Sequence, residues 1–171
     1  NNPTLSATGG NPKNVNSLEI QANGTIVGGG IAIRAYGENS NGYAVDNDGI
    51  IDGGSTLHLI IKTDTTTALD LNGTSGSFTN VEIDHASCVA QLAENASILG
   101  TLTVTLGEFD TASNRDLTVT GDVSVTGTLT GNASAISMGS LTIASGGTYS
   151  ATSGTTTITN RNSNAKYWEN G

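Results

Sequence analysis

SLEIQANGTIVGGGIAIRAYGENSN, residues 17–41, returns as SLTIASGGTYSATSGTTTITNRNSN at residues 140–164. The two stretches align without a gap at an offset of 123 residues, and eight of 25 positions are identical, among them Leu18/Leu141, Ile20/Ile143, Gly24/Gly147 and Asn39/Asn162. A second register is shorter. TLTVTLGEFDTASNRDLTVT at 101–120 lies over SLTIASGGTYSATSGTTTIT at 140–159, pairing Val104 with Ile143 and Val119 with Ile158 at an offset of 39. Repetition of short β-rich units is the mark of a stacked, quasi-one-dimensional fold.

Outward from these stretches, nearly every segment is a short alternating run followed by a turn. In LTVT, VSVT, TLT and TTIT the Leu, Val or Ile points to one side of a strand and the Thr or Ser to the other. Strands are expected at 18–21, 30–35, 57–63, 68–71, 79–84, 88–92, 101–106, 116–120, 122–126, 127–130, 140–144 and 155–159. Asn23-Gly24, Asn41-Gly42, Asp48-Gly49, Asp52-Gly53 and Asn72-Gly73 punctuate them as turns. Residues 86–99 could make a turn or two of helix, but their place between strand-like runs favours another strand pair.

The expected fold is all-β: a right-handed parallel β-helix, or β-solenoid, with coils of about 20 residues. An offset of 39 is then two coils and 123 is six. Inward Leu18, Ile20, Leu102, Val104, Leu117, Val119, Leu141, Ile143 and Ile158 form the core ladders. The rival is an antiparallel β-sandwich or jelly roll, because Asn-Gly and Asp-Gly turns also close hairpins. Repetition decides between them: equivalent side chains must lie over one another in a stack, whereas a sandwich has no reason to repeat.

Composition agrees. Apolar residues make up 35 % and aromatics 4 %, too little for a large globular core but enough for a thin one. Residues 1–16, with Pro3 and Pro12, read as an irregular lead-in, and 17–171 as the repeat segment. The chain starts at Asn1, its one methionine is Met138, and its C-terminal copy stops inside a unit, so a segment of a longer repetitive polypeptide is expected. No apolar run approaches membrane-spanning length. Net charge is −9, with only six scattered Lys and Arg, which argues against nucleic acid or an anionic membrane as partner. Cys88 is the single cysteine and reads as a small buried hydrophobe.

The stretches FTNVEIDHAS, LGTLTVTLGEFDT and LTVTGDVSVTGTLTG resemble repeats of right-handed parallel β-helix proteins in bacterial surface adhesins and autotransporter-like passengers. GGTYSATSGTTTITNRNSNAKYWENG is similar to repeats in large virion proteins of tailed phages. The resemblance covers about residues 17–171. It implies a rigid rod or spike, usually in a multimer, on the exterior of a virion or cell, and it carries no catalytic motif.

Four features invite a functional reading. Asp46, Asp48 and Asp52 alternate before glycines and are candidate calcium ligands. The twelve-residue calcium loop does not fit, since it would put Ala44 at the first ligand and Ser55 at the bidentate acid; the plain reading is a turn, with no cofactor. Asp84-His85, with Glu82 and His58, would matter to a glycan-cleaving enzyme if Asp84 met Asp64, Asp70 or Glu94 across coils. The pairs Thr103/Thr105, Thr118/Thr120, Thr128/Thr130 and Thr157/Thr159 could form an ice-binding file, although strand preference alone explains them. Tyr167 and Trp168 could anchor an interface or pack against the next coil.

The functional expectation is a non-enzymatic structural or display module of a phage virion. Alternatives are a bacterial surface adhesin or filament segment, and a polysaccharide-degrading β-helix enzyme of tailspike type. Partners would be other copies of the chain, structural proteins of the same assembly, or cell-surface glycans.

Overall fold

The computed structural model describes residues 4–7, 11–52, 56–151, 153–159 and 168–170, with backbone only for 4–7, 28 and 168–170. It is a parallel β-solenoid of about seven turns, each of roughly 21 residues. No helix occurs among the described residues. Every strand pairing there is parallel, which removes the antiparallel sandwich.

The chain visits three faces in each turn. The first face stacks β2 (Lys13–Val15), β5 (Ile31–Ala35), β8 (Leu57–Ile61), the front of β10 (Asn80–Leu92) and of β12 (Leu102–Asp110), the end of β13 (Leu117–Val125) and of β15 (Ile136–Ile143), and β18 (Trp168–Asn170). The second face stacks β3 (Leu18–Ile20), β6 (Tyr43–Asn47), β9 (Thr66–Leu69), the ends of β10 and β12, β14 (Thr128–Thr130) and β16 (Thr148–Ser150). The third begins with β1 (Thr4–Ala7), β4 (Thr25–Gly28) and β7 (Ile50–Ile51). It resumes with β11 (Ala96–Ile98), the fronts of β13 and β15, and β17 (Thr156–Ile158). Between these two parts the backbone ladder thins to one bridge, Ile50 to Ser75. There the Asn72 side chain substitutes for a strand, its Oδ1 accepting from Ser97 N at 3.2 Å.

Inward residues stack into apolar files. On the first face Ile33, Leu59, Val81, Leu102, Val123 and Leu141 lie in register, as do Ala35, Ile61, Ile83, Val104, Val125 and Ile143. All twelve are buried. Each large aliphatic removed from water contributes about 1.5–3 kcal/mol, so a thin core repeated along an axis suffices. Phe109 on the second face is fully buried and fills the centre.

Corners need glycine. A Cβ on Gly121 would lie 2.5 Å from the Gly100 carbonyl oxygen, and one on Gly139 would lie 2.6 Å from that of Gly121. Successive corners therefore stack backbone on backbone, which only a residue without a side chain permits. Gly107 turns from the first face to the second at φ +74°.

The 39-residue register is correct: Val104 and Ile143 stand two rungs apart in one file, as do Val119 and Ile158. Leu18, Ile20, Leu102, Val104, Leu117, Val119, Leu141 and Ile143 are buried as expected. Ile158 is only partly buried. It lies on β17, beyond which no third-face strand follows among the described residues. The 123-residue match is not a whole number of turns. Leu18 sits on the second face and Leu141 on the first, so the repeat copies a strand and its following corner, one face out of phase. Within residues 1–16, where the sequence reads as irregular, β1 pairs with β4 and β2 with β5.

Candidate functional site

The most concentrated chemistry lies where the chain leaves the second face. Val45 registers with Leu69, and Asp70 N donates to Val45 O at 2.9 Å, so Asp46 and Asp70 occupy neighbouring rungs. Glu19 registers with Asp46 one turn earlier. Alternation turns Glu19 and Asp46 outward, because Leu18, Ile20, Val45 and Asn47 point in. Asp48 follows at the corner. One carboxylate oxygen from each of Asp46, Asp48 and Asp70 falls within 4.8 Å of the others.

Asp70 is only 7 % exposed. Its pKa is raised from 3.8 to about 7, chiefly by burial and next by the charge of Glu94, with a hydrogen bond to Glu94 and the charge of Asp46 adding to the rise. The Asn72 N–H, donating to Asp70 Oδ1 at 3.2 Å, opposes it. Asn39 Nδ2 donates to Asp46 Oδ2 at 3.1 Å. These three carboxylates could hold a divalent cation, with water completing the shell that calcium requires. Between them in sequence, Asn47 points inward. Its Oδ1 accepts from Gly49 N at 3.2 Å, and its buried Nδ2 has no hydrogen-bond partner among the described residues.

Asp52 does not join this group. It follows β7 on the third face, where its N–H donates to Ile26 O at 3.0 Å. Asp70 takes its place because it lies one turn after Asp46. Coil length applied to Asp46 would have found it; proximity in sequence could not.

A second set of charged side chains lies on the outer side of the first face. His58 Nε2 is 3.5 Å from Glu82 Oε2, Lys62 Nζ contacts Asp84 Oδ2, and Thr105 Oγ1 donates to Glu82 Oε1 at 2.9 Å. Among them Ile60, outward-facing, is only 7 % exposed, with Arg34 and Glu82 in register on either side of it. Asp84 therefore pairs with Lys62 and does not converge with Asp70 or Glu94, which leave a different face. His85 lies past Asp84, its Nδ1 accepting from Ser87 N at 3.4 Å.

The threonine pairs divide among faces. Thr103/Thr105 is on the first, Thr128/Thr130 on the second, and Thr118/Thr120 and Thr157/Thr159 on the third, so they do not form one file. Cys88 is buried, and burial with the Glu38 charge pushes its thiol up to about 12, in keeping with a packing role. Tyr167 lies outside the described residues. Trp168 opens β18, whose backbone pairs with Leu141.

An open groove of about 360 Å³ runs along the corner between the first and second faces, floored by Gly107, Gly127 and Gly146. Its one carboxylate, Glu108, accepts from Thr130 Oγ1 at 2.6 Å. Hydrolysis of a glycosidic bond takes two carboxyl groups across one cleft, and this groove does not offer them.

No protein-family model matches the chain, and neither do the curated proteins or the solved structures. The class that the geometry defines is the parallel β-solenoid. No described helix is long and apolar enough to cross a membrane.

Proposed function

We propose that this chain is a non-enzymatic structural module, a stiff spacer or display element on the exterior of a tailed-phage virion. The observation that carries this reading is the pair of unbroken six-rung aliphatic files on the first face. Each turn presents the same interior to the next, so the body resists bending at every level, and the outer walls remain free for contacts. The scarcity of paired carboxylates in the groove favours mechanical work over glycan cleavage. Partners would be further copies of the chain, structural proteins of the same assembly, or glycans on a cell surface.

Antibodies against the folded chain test the setting. Regular labelling of purified phage particles supports the virion reading. Labelling of bacterial envelopes alone replaces it with an adhesin. Release of sugars from bacterial polysaccharide by the purified chain overturns the non-enzymatic assignment altogether.

A further inference from the structure

We propose that Asn41 is a self-modifying residue, converting to aspartate and isoaspartate through attack of the Gly42 backbone nitrogen. The chain has three fully described Asn-Gly pairs, at 23–24, 41–42 and 72–73, and the fold treats them differently.

Asn72 is fastened. Its Nδ2 donates to Asn95 O, and its Oδ1 accepts from Ser97 N at 3.2 Å. Gly73 lies against Gly49, whose carbonyl oxygen would be 2.1 Å from an added Cβ. Rotating either residue toward a ring would break the stack. Asn23 is exposed, but Gly24 is buried, donates to Gln21 O at 2.7 Å, and is flanked by that same oxygen 2.9 Å from a Cβ position.

Asn41 is different. Its side chain is exposed and makes no hydrogen bond among the described residues. The Gly42 N–H donates to Asn39 O at a looser 3.1 Å. Space beside the Gly42 Cα is open, the nearest atom to an added Cβ being Glu38 Oε2 at 4.0 Å, and its carbonyl oxygen, which accepts from Ala68 N at 2.9 Å and Thr67 Oγ1 at 3.3 Å, takes no part in ring closure. Glu38, whose other carboxylate oxygen accepts from Thr65 Oγ1, is the carboxylate nearest that space and could turn to take up the amide proton as general base. Freedom to reach the near-attack geometry is what separates a reactive pair from an inert one.

The step balances without an external oxidant. The Gly42 nitrogen forms a bond to Asn41 Cγ and loses its proton, and the Asn41 amide leaves as ammonia. Water then opens the succinimide at either carbonyl, giving aspartate or isoaspartate. The new carboxylate lies two residues from Asn39, whose side chain braces Asp46 and accepts from both Asn41 N and Tyr43 N. Modification thus adds negative charge beside the acidic corner, and isoaspartate lengthens the backbone of the turn.

The test is peptide mapping by mass spectrometry of the folded chain, aged in mildly alkaline buffer at body temperature. Position 41 is expected to gain the amide-to-acid mass shift several-fold faster than 23 or 72. In urea the three pairs should converge to similar rates. Glu38→Gln, with an unchanged circular dichroism spectrum, should slow position 41 alone. Equal rates at all three positions in the folded chain, or faster reaction at 23 or 72, overturn the proposal.

Discussion

Asp70→Asn is expected to stabilise the protein at about pH 8 and to leave it unchanged at about pH 3, below the pKa of the free carboxyl. In the folded state the Asp70 carboxyl holds its proton up to about pH 7 against 3.8 for the free group. The native chain therefore binds more protons than the unfolded chain between those values. Stability is fully present below the unfolded pKa and declines as pH rises through the folded one. Three pKa units at about 1.4 kcal/mol each set a ceiling of about 4 kcal/mol. Ionised Asp70 can turn toward water, so the expected effect is about 1–2 kcal/mol. Asparagine keeps an oxygen for the Asn72 N–H and adds a donor for Glu94. Urea unfolding of both proteins across this pH range gives the measurement. The difference between the two stability curves should be near zero below about pH 3.5, open between there and about pH 7, and stay level above. A constant difference, or a less stable variant at high pH, would refute the account. The same experiment in calcium reports on the carboxylate triad: a bound ion stabilises the wild type and not the variant.

Other perturbations test the remaining layers. Phe109→Ala empties the largest side-chain position in the second-face core and should cost about 3–5 kcal/mol in urea unfolding. Gly121→Val should abolish folding by circular dichroism, because a Cβ there meets the Gly100 carbonyl at 2.5 Å, whereas Gly29→Ala, with nothing within 4 Å, should fold normally. Cys88 should resist thiol reagents in the native protein and react on denaturation, since it is buried and its pKa is raised to about 12. Glu82→Gln removes a partly exposed contact to His58 and should change stability by less than about 1 kcal/mol.

Much of the fold was legible because a solenoid repeats its own constraints. The 39-residue register placed Val104 with Ile143 and Val119 with Ile158, since equivalent inward positions recur every turn. Period-two alternation located the long apolar strands. It missed β4, β6, β7, β11 and β16, which are short or carry few large apolar residues, and which become strands because their neighbours offer a ladder of partners.

By itself the sequence determined the period, the inward files and the acidic corner containing Asp46 and Asp48. These follow from local alternation and turn chemistry, which act between residues close in the chain. Only the tertiary structure decided which turns lie against one another. It exchanged Asp52 for Asp70, set Leu18 and Leu141 on different faces, and divided the threonine pairs among all three. Turn length here varies, from the 26 residues between Ile33 and Leu59 to the 18 between Val123 and Leu141. A small change in length at one corner moves every later side chain to a new neighbour, and that accumulated phase is fixed by backbone stacking rather than by any local pattern.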